Sequence, residues 1–235
     1  MTSFFCTLWG DKYSKEYVER IYTSLKMFYT DKFTLYCQTD QKLDIPGVVE
    51  LPFLDIKPDD SPRCKVKPKM NFWKPNGWGI SGRKVFLDLD IAIVKNIDTM
   101  VDLLYRGRPI ISRAWWQDEL GINQEPNNYL AYRGIVNSSV IIWEDSALTE
   151  SIWNHIEDNM RYVFFCGING QDGYLSSTHL DKFDFIPHNM VKSYHNEKLT
   201  GDERIILFDT KINHITYGTQ KEMHELKGEI KDILV

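Results

Sequence analysis

The stretch from Arg83 to Val94 is an apolar run with two carboxylates, Asp88 and Asp90, in its middle. Side chains alternate between the two faces of a strand, so both acids of such a strand would point the same way. Carboxylates in so apolar a segment repel each other and resist desolvation, and therefore need a cation, a proton or open water. A hard divalent ion such as Mg²⁺ or Mn²⁺ meets that need through oxygen ligands. The run therefore predicts a buried strand that presents two acids to a metal ion.

These residues alone leave a second interpretation open. The strand would end at Leu87, and both acids would lie in a solvated turn. Water would then hydrate the charges, and no metal would be needed.

The composition is that of an ordinary globular protein, with 43% hydrophobic and 26% charged residues in a chain of 235. No repeat, low-complexity tract or linker divides the sequence, so we expect a single domain over residues 1–235. The net charge of −5 argues against a nucleic-acid surface, and no cluster of Lys and Arg interleaved with aromatic residues favours one.

The cysteines and the apolar stretches bear on the cellular setting. Cys6, Cys37, Cys64 and Cys166 are far apart and form no Cys-x-x-Cys pair, which predicts reduced thiols rather than a zinc site or a disulfide framework. The sequence opens without a basic and then apolar leader, and no stretch approaches the length of a membrane span. We therefore expect a cytoplasmic protein without a membrane span.

The first fifty residues read as a strand, a helix and two further strands, at residues 4–9, 14–29, 33–37 and 48–51. Such a unit predicts parallel pairing, with ligands at the carboxyl ends of the strands. Thr7, Leu8, Trp9 and Tyr13 would then lie at the edge of a site, although a plain surface turn is equally open. Because strands and helices continue to alternate, we predict an α/β fold with a mixed, mostly parallel central sheet flanked by helices.

Three later segments carry polar groups or exposed rings. Asn137-Ser138-Ser139 leads into a buried strand, and Gln171-Asp172 stands where a glycine turn opens a helix. The stretch from Trp115 to Tyr132 has no clear period, and a loop of that length is usually functional or disordered. Trp115 and Trp116 beside it are either a stacking platform for an acceptor or core residues.

The order of these pieces resembles the metal-dependent nucleotide-sugar glycosyltransferases with the GT-A fold, especially the retaining glycogenin-like group. The resemblance runs from Phe4 to Lys221, although each motif is short. The matching residues are Thr7-Leu8 and Tyr13, Lys69 and Trp73 of a Lys-x-x-x-Trp stretch, Asp88 and Asp90 of Asp-x-Asp, Ile97-Asp98, Asn137-Ser138, Gln171-Asp172, and a C-terminal His, Gly and Lys at His214, Gly218 and Lys221.

The sequence departs from that group at three places. His214 and Gly218 are four residues apart where the group usually has three, Ser139 stands where a Gly usually follows Asn-Ser, and Glu222-Met223 replaces a frequent Pro-Trp.

The resemblance implies a GT-A-like domain that moves a sugar from a nucleoside-diphosphate sugar, a UDP-sugar or a GDP-sugar, to a carbohydrate or other hydroxyl acceptor with retention. It implies Asp88, Asp90 and His214 as ligands of Mn²⁺ or Mg²⁺, the imidazole suiting Mn²⁺ better. Asp172 would face the oxocarbenium-like centre, unless it is merely a helix-starting acid. The further donor-binding residues implied are Thr7, Leu8, Trp9, Tyr13, Lys69, Leu89, Asn137, Ser138, Gln171 and Lys221, with Arg83 either reaching the nucleotide or flanking the strand.

Two other classes share parts of this pattern. A phosphohydrolase with an aspartyl nucleophile also has Asp-x-Asp after an apolar strand, but normally in the first strand and followed by small residues. Here eighty-seven residues precede Asp88, and Ile91-Ala92 follow the motif. A non-catalytic, metal-dependent sugar-binding module would use the aromatic residues without a leaving group.

Overall fold

The computed structural model describes residues 1–57, 67–104, 107–115, 134–160 and 170–208. The strands within these ranges are β1 (Thr2–Leu8), β2 (Phe33–Thr39), β3 (Val48–Leu51), β4 (Lys84–Leu87), β5 (Ile91–Ile93), β6 (Ile110–Arg113), β7 (Val136–Trp143), β8 (Asp184–Phe185), β9 (Val191–Ser193) and β10 (Ile205–Leu207). The α-helices are α1 (Lys15–Phe28), α2 (Asp98–Val101), α3 (Ala147–Asp158) and α4 (Gly170–Thr178), and 3-10 helices cover Lys67–Trp73, Gly77–Gly79 and Leu180–Lys182.

The central sheet has seven strands in the order β3-β2-β1-β4-β7-β6-β8. Only β7 runs antiparallel to its neighbours β4 and β6, while the other neighbouring strands of this sheet pair in parallel. A second sheet has the order β5-β10-β9. The prediction of an α/β fold with a mixed, mostly parallel central sheet is confirmed.

The first strand-helix-strand unit forms as predicted. β1 pairs in parallel with β2 from Thr2 opposite Phe33 to Leu8 opposite Thr39. The helix between them, α1, starts after Ser14 and buries Tyr17, which lies on the same face as the rest of its apolar stripe. The other buried residues of that stripe are Val18, Ile21 and Leu25. This unit places the carboxyl end of β1 beside that of β4.

The central apolar run is not one strand, which corrects the first interpretation of it. β4 ends at Leu87, β5 begins at Ile91, and the two strands join different sheets. Asp88 and Asp90 therefore lie in the connection between sheets, so alternation along one strand does not set their directions. The strand end at Leu87 matches the second interpretation, but the acids are not left to solvent, because protein groups hold both of them.

Apolar side chains pack on both faces of the central sheet. One cluster lies between the sheet, α1 and the small sheet, and includes Phe4, Leu87 and Ile205. The other lies under the Lys67–Trp73 segment, α3 and α4, and includes Phe5, Trp73 and Tyr174. In the described part of the chain, no helix combines the length and apolarity that crossing a bilayer requires. That residues 1–235 form one domain remains a prediction.

Candidate active site

Asp88 follows directly after β4 and is held by a buried lysine. Nζ of Lys69 donates to Oδ1 and Oδ2 of Asp88 at 2.8 and 2.9 Å, and to Oγ of Ser138 at 3.1 Å. The same ammonium lies 4.5 Å from the centre of the Phe86 ring. The Lys69 side chain is 9% exposed and that of Asp88 is 29% exposed, so the carboxylate faces an opening while its counter-ion is enclosed.

A break in the ladder of β7 shapes the opposite wall. Its pairing with β6 shifts from Ile111 opposite Ile141 to Ser112 opposite Asn137, which leaves residues 138–140 outside that ladder. Such a bulge frees backbone groups and redirects side chains. The backbone N–H of Ser139 donates to Oδ1 of Asn137 at 2.9 Å, and the carbonyl of Ser139 accepts from the N–H of Asp88 at 2.9 Å.

Asp172 lies in the first turn of α4 and closes the site from that side. Its Oδ1 accepts a hydrogen bond from the backbone N–H of Ser138 at 2.9 Å. Burial raises the pKa of Asp172, with a smaller contribution from the charge of Asp88, while Lys69 and the bonds from Ser138 act in the opposite direction. The result is a desolvated carboxyl group near a lysine.

Gln171 precedes Asp172 and is only 1% exposed. Neither its amide nitrogen nor its amide oxygen has a hydrogen-bond partner among the described residues. Unpaired buried amide groups are costly, so this side chain has unmet capacity to bind a polar ligand.

Asp90 lies at the other end of the connection between β4 and β5, and its carboxyl group interacts with the charge of Asp88. Its Oδ2 accepts from the Tyr13 hydroxyl at 2.9 Å, and its backbone carbonyl accepts from the N–H of Phe208 at 3.0 Å. Burial raises the pKa of Asp90, and the negative charge of Asp88 raises it further. The same surroundings raise the pKa of Tyr13, so its hydroxyl stays a donor to Asp90.

We call Lys69, Asp88, Asp90, Ser138 and Asp172 the acidic edge. Each carboxylate oxygen has more than one acceptor position, so Asp88 and Asp90 retain positions for a cation beside the bonds from Lys69 and Tyr13. Their mutual repulsion makes an added positive charge favourable, so their chemistry fits a hard divalent ion. In the described ranges, no group of three His, Cys, Asp or Glu side chains is spaced to hold a metal. The predicted third ligand, His214, lies outside those ranges.

The remaining predicted residues fall into three groups. Thr7 lies one residue before the end of β1, Trp9 follows that strand, and the half-buried Trp115 lies two residues after β6. The side chains of Leu8 and Leu89 belong to the apolar core instead. The predicted residues that lie outside the described ranges are Trp116, His214 and Lys221.

Arg83 is far from the acidic edge. It precedes the amino end of β4, whereas Asp88 follows the carboxyl end, and its Nη1 donates to Oδ1 of Asp102 at 2.5 Å. Its Nε lies 3.8 Å from the carboxylate of Glu144. The geometry therefore favours the interpretation that Arg83 flanks the strand over the one in which it reaches the nucleotide.

Ser176 belongs to the surroundings of the site, and no sequence motif indicated it. This residue lies on α4 four positions after Asp172, and its Oγ accepts hydrogen bonds from the backbone N–H groups of Ile135 and Val136 at 3.0 and 3.2 Å. A serine inside a helix is a weak signal by itself. The spacing of four from an acid at the helix start was the only available indication that both face the same neighbour.

Solved structures share this architecture. The galactosyltransferase LgtC, solved in complex with donor and acceptor sugar analogues, superposes with a TM-score of 0.58 over 97% of this chain and 95% of that chain, at 9% identity. The apo structure of the bifunctional glycosyltransferase WbbM superposes with a TM-score of 0.54 over 89% of this chain and 46% of that one, also at 9% identity. The fold is that of a GT-A glycosyltransferase.

The GT-A fold agrees with the resemblance read from the motifs. An active-site mutant of LgtC superposes equally well, with a TM-score of 0.58 at 8% identity over 97% of this chain and 95% of that chain. No protein-family model matches the sequence, and no curated protein matches it significantly. At such low identity the likeness establishes the fold and not the chemistry of the site.

Proposed function

We propose that this protein is a metal-dependent glycosyltransferase that takes a sugar from a nucleoside-diphosphate sugar and transfers it with retention to a hydroxyl acceptor. The observation that carries the proposal is the acidic edge itself. At the carboxyl end of β4, Lys69 donates to Asp88 and to the hydroxyl of Ser138, and the N–H of Ser138 donates to Asp172. In open α/β sheets this edge is where ligands bind.

The charges of the acidic edge suit a diphosphate leaving group. Breaking the glycosidic bond builds negative charge on the diphosphate, and fixed cations lower the barrier by stabilising that charge. Lys69 is such a cation on this chain, and we propose that Lys221 is a second one. A bound Mn²⁺ or Mg²⁺ would supply Lewis-acid stabilisation of the same phosphates.

Asp88, Asp90 and His214 are the residues proposed to hold the ion. Asp88 and Asp90 fit by charge and by their free acceptor positions. The support for His214 is its place in the chain, since it follows Phe208 by six residues and the N–H of Phe208 is bonded to the carbonyl of Asp90.

For the donor sugar we propose Asp172, Gln171, Asn137 and Ser138. Gln171 has an unsatisfied buried amide for a sugar hydroxyl. Asp172 is a desolvated carboxylate on the same turn, and a carboxylate stabilises the positive charge of an oxocarbenium-like transition state. Thr7, Trp9 and Tyr13 at the end of β1 and the start of α1 would receive the nucleotide of a UDP-sugar or GDP-sugar.

For the acceptor we propose Trp115 and Trp116, which follow β6 after Ala114 in the sequence. An indole ring offers a broad apolar face to a sugar ring. This assignment also accounts for a pair of large aromatic residues at the start of the stretch that the sequence predicts to be a loop.

The proposal is tested by a thermal-shift screen of nucleotide sugars with and without Mn²⁺, because a ligand that binds the native state raises the Tm. We expect one nucleotide sugar to raise the Tm only when Mn²⁺ is present, and product to form with a hydroxyl acceptor. Asp102→Asn is a control variant that should show the same Mn²⁺-dependent rise in Tm as the parent protein, because Asp102 belongs to the Arg83 ion pair far from the acidic edge. Phosphate release from an aryl phosphate without any effect of a nucleotide sugar would favour a phosphohydrolase instead, and binding without turnover would favour a sugar-binding module.

A further inference from the structure

The start of β7 has more backbone donors than its ladders can pair. Near the bulge, the N–H groups of Ile135, Val136 and Ser138 bond to side chains of α4. Ser176 accepts the first two and Asp172 accepts the third. Unpaired N–H groups in such a buried position would be costly, so α4 completes the hydrogen bonding of this strand.

Asp172 and Ser176 are four residues apart, which puts them on one face of α4, about 6 Å apart along its axis. The helix is therefore fixed to β7 at two heights by the two acceptors. One of these, Asp172, is also the residue proposed to face the donor sugar, whereas Ser176 lies one turn further from the acidic edge.

Gly134 makes the contact with Ser176 tight. Its φ is +86°, a conformation in which glycine is favoured, and a Cβ built there would lie 2.1 Å from Cβ and 2.2 Å from Oγ of Ser176. The chain before β7 therefore approaches the helix at a place where no larger residue fits. Ser176 therefore contacts the chain before β7 both through its hydroxyl and through the close approach of Gly134.

We propose that Ser176, packed against Gly134, is a positioning residue that sets the place of the Asp172 carboxylate at the donor sugar. The inference rests on the proposed function. Ser176 does not touch the sugar; it acts through the helix. A shift of the helix by a fraction of an ångström would move Asp172 away from the reacting carbon, and misplacements of about 1 Å cost on the order of 100-fold in rate.

The test compares Ser176→Ala with Ser177→Ala. Ser177 is the next residue on α4, is exposed, and bonds within its own helix to the carbonyl of Tyr174 at 3.2 Å, so it is a matched control. We expect Ser176→Ala to lower kcat by about 10- to 100-fold while the Kd of the nucleotide stays within about twofold, because the change affects only the transition state. Ser177→Ala should keep the parent kcat. Equal kcat values in the two variants would overturn the inference.

A second readout needs no turnover. Hydrogen exchange of the Ser138 amide, measured by NMR on the free protein, reports its bond to Asp172. Exchange should accelerate in Ser176→Ala and not in Ser177→Ala. If Ser176→Ala fails to fold, Ser176→Cys keeps a side-chain acceptor at this position, weaker and larger than the hydroxyl, and should show an intermediate acceleration. An unchanged exchange rate of the Ser138 amide in Ser176→Ala would contradict the positioning role of Ser176. A parent protein that turns over no nucleotide sugar would contradict the proposed function. The exchange rate would then still test whether Ser176 holds the bond between Ser138 and Asp172 in place.

Discussion

Lys69 and Asp88 form a two-pronged ion pair, with the lysine Nζ 2.8 and 2.9 Å from the two carboxylate oxygens. The lysine is enclosed and the carboxylate partly open, so Asp88 can meet a ligand without losing its counter-ion. The two residues are nineteen positions apart in sequence, and the pair forms because the Lys67–Trp73 segment lies across the end of β4.

Replacing Lys69 by Met should weaken both stability and donor binding. The change leaves the Asp88 carboxylate without its counter-ion, at a cost of about 1–3 kcal/mol, less than for a fully buried pair because Asp88 is partly exposed. Lys84→Met is the control, since Lys84 is also buried and paired, with Asp145 at 2.6 Å, at the other end of β4. Denaturant unfolding should show a loss in both variants, and titration with a nucleoside diphosphate should show weaker binding only for Lys69→Met. Equal nucleotide affinity in the two variants would show that Lys69 does not contribute to donor binding.

Replacing Asp90 by Asn should abolish metal-dependent nucleotide binding and yet stabilise the fold. The raised pKa means that the folded state holds the Asp90 proton more tightly than the unfolded chain does. Ionisation of Asp90 therefore costs stability above the ordinary aspartate pKa of about 3.9, and an amide removes that cost.

The unfolding free energy measured against pH checks this prediction. The gain from Asp90→Asn should be present near pH 7 and shrink as the pH falls through the raised pKa, vanishing below pH ~4. Mn²⁺ titration in the presence of nucleotide checks the other half. A variant that titrates Mn²⁺ like the parent would show that Asp90 is not a ligand.

Asp172→Asn should lower kcat by on the order of 100-fold or more with nearly unchanged nucleotide affinity, as expected for an interaction made in the transition state. The amide oxygen can still accept from the N–H of Ser138, so α4 should keep its place. NMR of the product reads the anomeric centre of the transferred sugar. Inversion there would overturn retention and direct the search to a general base, with Asp118 and Glu119, two acids in the predicted loop from Trp115 to Tyr132, as the first candidates.

His179 should make the fold sensitive to acid. Burial, with the positive charge of Lys182 and the neighbouring His155, lowers the pKa of His179 to about 3. Because the unfolded chain takes up this proton near pH 6.5 and the folded state only near 3, stability is lost as the pH falls through that window, on the order of 5 kcal/mol in total.

His179→Gln should flatten the dependence of the unfolding free energy on pH between about 6.5 and 4, since its amide does not titrate. It can still bond to the Tyr174 hydroxyl, which lies 2.8 Å from Nε2 of His179. An unchanged slope in His179→Gln would contradict the low pKa.

The sequence predicted the elements whose periods are clear and local. Val48–Leu51 is a strand with the predicted bounds, and the helix predicted over residues 14–29 forms as α1, Lys15–Phe28. The strand Val191–Ser193 was missed, because it is short and is stabilised by parallel pairing with β10, a long-range contact that leaves no alternation of its own.

The candidate site was predictable in its residue types and not in its contacts. Asp-x-Asp and Gln-Asp were recognisable because a carboxylate in apolar surroundings is unfavourable unless a cation, a proton or water compensates its charge. The end of β4 at Leu87 was not decided by the residues, since Ile91 continues the same apolar pattern in a different sheet. The partners Lys69 and Tyr13 come from distant segments, and only the packing of those segments fixes which acid each one meets.

The two backbone bonds of the Asp-x-Asp connection attach its ends to different sheets. The N–H of Asp88 is bonded to the carbonyl of Ser139 in the large sheet, and the carbonyl of Asp90 to the N–H of Phe208 beside the small one. A single-residue insertion or deletion between Leu87 and Ile91 would force one end out of register. The protein should therefore tolerate a substitution at Leu89 far better than an insertion or deletion in this segment. Natural variation in loop length should be concentrated elsewhere in the chain.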